Sequence, residues 1–233
     1  LSERCNADVF LPSYRLLPEY HFFDALQDVI HAFEYLIHVR GVRPENVIPF
    51  GISSGGGLIV RLLQKIVEVY GLGSTNDNSI CDDTLRKSVL PKGAVLLSPF
   101  VEYTEAEGTF KHYRIHDLIV NQSVCEEGEP YFSTLGDDQT RYDESPVNRP
   151  MDNLPPLCLL VSEHECCYDQ NIKLCNRARK AGVEVDLACY KYMCHVWPLL
   201  SAFVPEARSA FDFSCDWVVK CAEGEKHLTH ETS

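Results

Sequence analysis

The sequence has no uninterrupted apolar run approaching the ~18–20 residues that a membrane-crossing helix needs, so no spanning segment is expected. Positive charge is scarce too: 21 Lys and Arg stand against 34 Asp and Glu in 233 residues, a formal net charge of −13. Such a surface repels phosphate backbones and anionic headgroups, which argues against nucleic-acid and basic-patch membrane partners. Neither a G-x-G-x-x-G run nor a P-loop lysine is present, so a phosphate-cradling loop has no support. An initiator Met and a signal-peptide pattern are both missing at Leu1–Cys5. The chain is therefore expected to be cut from something longer, with any targeting segment lost.

Cysteines are present, but without framework spacing. There are eleven, an odd number, and several fall inside apparent strands and helices, such as Cys158, Cys175, Cys189 and Cys215. Free thiols in a reducing, cytoplasmic setting fit this better than a disulfide scaffold, although an Asn-Gln-Ser sequon at Asn121 points the other way. No C-x-x-C pair occurs. Cys166 and Cys167 with His164 and Cys175 make an imaginable metal cluster, but adjacent cysteines diverge in any regular backbone. No metal site and no cofactor are expected.

With 45% hydrophobic residues, the chain can bury one sizeable core. Ala7–Leu11 reads as a short extended run, and Val47–Phe50, Ala94–Ser98, Leu157–Val161 and Glu184–Tyr190 follow as the second to fifth strands. Helical spacing appears over Phe22–Val39, Gly57–Tyr70, Asp169–Ala181 and Pro205–Cys221. Alternation of this kind predicts an α/β fold: a mostly parallel sheet with helices on both faces. One domain is expected over residues 1–222, followed by a disordered tail at 223–233. Residues 71–92 read as a surface connection. Residues 100–150 are aromatic and acidic without steady period, and read as a lid or pocket wall.

Gly51-Ile52-Ser53-Ser54-Gly55 follows an apolar strand and opens a helix. A tight strand-to-helix turn projects a serine hydroxyl above the sheet, and glycine is expected on either side where a Cβ would clash. The amide of Ser54, at the helix start, is placed to stabilise an oxyanion. An activated serine needs a base, and the base needs an orienting carboxylate. Glu165 follows the fourth of these strands and His195 the fifth, in the chain order Ser, acid, His. Ser54, His164, Glu163 and Asp169 are rivals for these roles; Asp169 has a structural reason to be present as a helix N-cap.

These residues resemble the hormone-sensitive-lipase-like family of α/β-hydrolases, which contains carboxylesterases and deacetylases. Tyr14–Glu19 is similar to the family's Tyr-Arg-Leu-Ala-Pro-Glu stretch, and Gly51–Gly56 to its Gly-Asp-Ser-Ala-Gly-Gly elbow. Ser98–Val101, Leu154–Pro156, Glu165–Asp169 and His195–Trp197 match later motifs in the right order, so the resemblance runs from Leu1 to about Cys221. It implies a serine hydrolase acting on a small-molecule carboxylic ester through an acyl-enzyme, with Ser53, Glu165 and His195 as triad. Ile52 departs from the pattern, where the family carries an acid, and so does Gly57, where asparagine is common. The family's His-Gly-Gly-Gly oxyanion loop would precede Leu1. A ligand-binding protein on a retired hydrolase scaffold, and an amide hydrolase with the same triad, are the alternatives.

Overall fold

A computed structural model describes residues 1–70, 72, 88–104, 108–113, 117–121 and 135–225. Most of the expected surface connection at 71–92 and of the tail after Ala222 lies outside these residues, as do Tyr131 and Phe132 of the 100–150 segment.

A short helix α1 (Ser2–Cys5) precedes an irregular stretch; contrary to expectation, the run at Ala7–Leu11 joins no strand among the described residues. Helix α2 (Phe22–Glu34) starts with a reciprocal cap between His21 and Asp24 and ends in a π-helical turn, Tyr35–Val39. Strand β1 (Phe50–Ile52) leads directly into α3 (Ser54–Val69). Then come β2 (Ala94–Leu97), the short helices α4 (Thr109–Tyr113) and α5 (Asp138–Glu144), and β3 (Leu157–Ser162). Helix α6 (Tyr168–Lys180), β4 (Val185–Tyr190) and α7 (Pro205–Glu223) complete the order.

The first strand sits later than its apolar run suggests. Pro49 has no N–H to donate, which weakens the ladder at its start. Main-chain bonds from Lys92 to Val47 and from Val95 to Pro49 nonetheless align residues 47–49 beside β2.

Among the described residues four strands form one parallel sheet in sequence order, β1-β2-β3-β4. Because strand side chains alternate, the sheet divides the core in two. Ala94, Leu96, Leu157 and Leu159 face α3 and α6 and pack with Leu63, Ile66, Leu174 and Ala178. Val95, Leu97, Cys158 and Leu160 face α7 and pack with Ala207, Ala210 and Trp217. Helices on both faces leave the carboxyl ends of the strands as a common rim, where open α/β sheets gather their functional groups.

Candidate active site

Ser53 stands between the last residue of β1 and the first of α3, with φ 52° and ψ −121°. A non-glycine residue held there stores backbone strain. Main-chain bonds hold it: Ser53 N–H donates to Leu97 O at 3.0 Å, and Ser53 O accepts from Gly56, Gly57 and Phe100 N–H at 2.9, 3.2 and 2.9 Å. The surrounding glycines differ in necessity. A Cβ at Gly51 would lie 2.6 Å from Gly56 Cα, one at Gly56 2.6 Å from Pro99 Cβ, and one at Gly57 2.1 Å from Phe100 O. Gly55 is the exception to the expectation of glycine on both sides: a Cβ there meets only Tyr14 Oη, at 3.9 Å. Close packing of the helix against the Pro99–Phe100 backbone, rather than the turn alone, is what demands glycine, and it does so at 56 and 57.

His195 Nε2 lies 2.8 Å from Ser53 Oγ, and His195 Nδ1 lies 3.1 Å from Glu165 Oε2. Three residues expected from separate loops thus share one hydrogen-bonded line. Glu165 and His195 are essentially fully buried. A second carboxylate oxygen of Glu165 accepts from Ser162 N–H at 3.3 Å, which fixes the plane of the group. The Ser54 amide opens α3, in the first turn, where helical N–H groups have no carbonyl of their own helix to meet.

The rivals lie elsewhere. His164 packs between Tyr113 and Tyr192, and its Nδ1 accepts from Tyr192 N–H. Glu163 N–H donates to Tyr190 O, away from the imidazole. Asp169 is not the cap of α6; Cys167 occupies that position, and Asp169 Oδ2 accepts from Thr109 N–H at 2.8 Å, tethering α4.

The metal expectation needs one correction. Cys166 and Cys167 do not diverge: their sulfurs lie 3.7 Å apart, because residues 166–167 form a turn ahead of α6 rather than regular backbone. His164 and Cys175 do not join them, but the ligand atoms of Cys166, Cys167 and His195 all lie within 4.8 Å of one another. Nine free cysteines are described; Cys81 and Cys125 lie outside the described residues. Burial pushes the thiols of Cys189 and Cys221 up to about 11.

Three supporting residues have no strong signal in the sequence. Asp117, buried within the 100–150 segment, accepts from His195 N–H at 3.0 Å through Oδ2 and from Ile119 and Val120 N–H at 2.9 and 3.1 Å through Oδ1. Ser162 Oγ accepts from His164 and Met193 N–H, both at 3.2 Å, joining the acid loop to the histidine loop. Ser98 Oγ accepts from Val196 N–H at 3.2 Å, and both Ser98 and Val196 have positive φ. An Asp ahead of an apolar triplet signals at most a local Asx turn; only tertiary structure brings the second oxygen to residue 195. Of the described aromatics of the segment, Tyr103 is buried against Phe22 and Phe100, Phe110 packs on Phe100, and Tyr113 on His164.

A family described by the alpha/beta hydrolase fold matches residues 1–199. An esterase of Acinetobacter venetianus is 24% identical over 212 residues, covering 90% of this chain and 63% of that protein. An acetyl-hydrolase of Streptomyces hygroscopicus is 26% identical, covering 91% of this chain and 64% of its own length. The chain thus spans a little under two thirds of these relatives. Among solved structures, an esterase/lipase from an uncultured bacterium superimposes with a TM-score of 0.79 at 26% identity, over 95% of this chain and 68% of the other. A hormone-sensitive lipase from a metagenome library gives 0.73 at 26% identity, over 90% and 64%.

Proposed function

The chain belongs to the α/β-hydrolase family, and from that premise we propose that it hydrolyses carboxylic esters of small molecules through an acyl-enzyme on Ser53. The observation that carries the reading is the unbroken Ser53–His195–Glu165 hydrogen-bonded line, with its 2.8 and 3.1 Å links. Relatives named esterase and acetyl-hydrolase support the choice of an ester as substrate.

The chemistry follows from the geometry. His195 Nε2 takes the hydroxyl proton as Ser53 Oγ attacks the ester carbonyl carbon, and the carbonyl π electrons move onto oxygen. Glu165 holds the Nδ1–H tautomer and offsets the imidazolium charge, which a buried site would otherwise disfavour. The oxyanion receives the Ser54 N–H at the start of α3, where the helix dipole adds to the hydrogen bond. Collapse of the tetrahedral adduct breaks the bond to the alcohol, which leaves with the proton from His195. Water, deprotonated by the same imidazole, then releases the acid and restores Ser53.

The 100–150 segment serves in this reading as a wall of the pocket that also steadies the base through Asp117. The buried free thiols suit a reducing, cytoplasmic location, and the net charge of −13 suits a protein without nucleic-acid partners. Among the described residues no helix is long and apolar enough to cross a membrane.

The test is hydrolysis of a short aryl ester together with labelling by a fluorophosphonate. Wild type turns over and is labelled at Ser53, and Ser53→Ala does neither. Wild type that is folded yet unlabelled refutes the assignment and favours a binding protein on the same scaffold.

A further inference from the structure

Beside the triad lies a pair of thiols that the hydrolytic chemistry does not use. Cys166 and Cys167 follow Glu165 directly and are buried, with sulfurs 3.7 Å apart. Two thiolates bound to one tetrahedral zinc ion at about 2.3 Å each stand about 3.8 Å from one another. The pair already has the spacing that a thiophilic ion imposes. The third ligand is at hand, because the imidazole of His195 comes within 4.8 Å of both sulfurs. Closing that gap to the roughly 3.5 Å between sulfur and nitrogen ligands of one zinc ion requires the ring to move and a ring nitrogen to give up its present partner, Glu165 or Ser53.

We propose that Cys166, Cys167 and His195 form an inhibitory site for a thiophilic divalent cation of the zinc type. Two thiols and Zn2+ give a dithiolate complex, and the two thiol protons pass to solvent. The imidazole contributes a ring-nitrogen lone pair to the ion, and the fourth position is left for water. Oxidation states do not change. Once the ring has turned to the ion it no longer accepts the Ser53 proton, so the ion withdraws the base without touching the nucleophile. Glu165, one residue before the pair, makes the coupling tight: the turn that carries the ligands also carries the carboxylate that orients the ring.

The regulatory consequence rests on the ester-hydrolase reading; the site itself does not. Among the described cysteines, Cys158 and Cys221 pack in the core under α7 and Cys175 in the core under α6, while Cys194 precedes His195 directly and is the one to compare with the pair. Substitution therefore distinguishes the pair from the rest.

The experiment uses the reduced, metal-free protein and two readouts. Co2+, as a spectroscopic stand-in for Zn2+, is expected to give thiolate-to-cobalt charge-transfer absorption and the visible bands of a tetrahedral ion, both erased by Zn2+. Cys166→Ser and Cys167→Ser each lose them; the serine variants keep side-chain volume, and circular dichroism verifies their fold. In parallel, saturating Zn2+ slows fluorophosphonate labelling of Ser53 by at least about tenfold in wild type and leaves the rate of each serine variant unchanged. If a serine variant does not fold, the wild-type labelling ratio with and without Zn2+, together with the cobalt spectrum, decides alone. The proposal is overturned by a cobalt spectrum that persists in both variants, by no thiolate absorption in wild type, or by labelling indifferent to Zn2+. Absence of labelling in metal-free wild type instead strikes the esterase reading, while the cobalt spectrum still judges the metal site.

Discussion

Asp117 Oδ2 lies 3.0 Å from the main-chain nitrogen of His195, 78 residues away in the chain. The other oxygen of the same carboxylate closes a turn over Ile119 and Val120. One buried side chain therefore ties the segment between β2 and β3 to the backbone of the histidine loop. An amide at this position can present only one acceptor, and its NH2 opposes an N–H on the other side. Asp117→Asn is expected to lower kcat by about 10²-fold, the cost of displacing a reacting group by an ångström. KM changes little, since the group touches no substrate. Loss of stability with kcat intact would reduce Asp117 to a purely structural role.

Glu165→Gln preserves shape and keeps one acceptor for the Ser162 amide. It removes the charge that offsets the imidazolium and permits the wrong tautomer of His195. Turnover should fall by about 10⁴-fold with the melting temperature nearly unchanged. Steady-state kinetics beside a thermal melt check it; a loss under about tenfold would place the orienting carboxylate elsewhere.

The glycines of the elbow make a sharp pair of expectations. In Gly57→Ala the new methyl meets the Phe100 carbonyl at 2.1 Å, backbone that cannot turn aside. A destabilisation of about 1–3 kcal/mol or more is expected from such overpacking. Gly55→Ala meets only open space near Tyr14 and sits within a helix, where alanine is favoured over glycine by roughly 0.5–1 kcal/mol. Its melting temperature should hold or rise. Denaturant melts of the two variants, run together, check both signs.

Asp28 accepts from Arg15 through both the main chain and the guanidinium, at 2.9 and 2.8 Å. These hydrogen bonds lower its pKa from 3.8 to about 2. A depressed carboxylate contributes stability above its unfolded value, and that contribution is lost as pH falls through the folded one. The melting-temperature gap between wild type and Asp28→Asn should therefore be fully present at neutral pH and shrink from below about pH 4 towards pH 2. A gap that stays constant over that range would mean the bond is not charge-dependent.

What could be read from the sequence and what could not have different physical sources. Strand-to-helix alternation and the order Ser53, Glu165, His195 are local patterns, so the parallel sheet and the line of three side chains were open to a sequence reader. Strand β1 begins some three residues later than its apolar run predicts, because Pro49 interrupts donation inside that run. Asp169 resembled a cap because it opens a helix, but its partner Thr109 lies 60 residues away. The approach of the Cys166 and Cys167 sulfurs depends on a turn that composition does not announce. Asp117 stayed hidden for the same reason: its use depends on a contact across the sheet rim.

The elbow at residue 53 is held by its own peptide groups, with four main-chain bonds to Leu97, Gly56, Gly57 and Phe100, while the serine hydroxyl turns to His195. The mount is thus independent of the tool fixed to it. A thiol installed by Ser53→Cys would be delivered to the same point in space, and on the proposed ester-hydrolase reading the scaffold would then pass acyl groups to acceptors other than water.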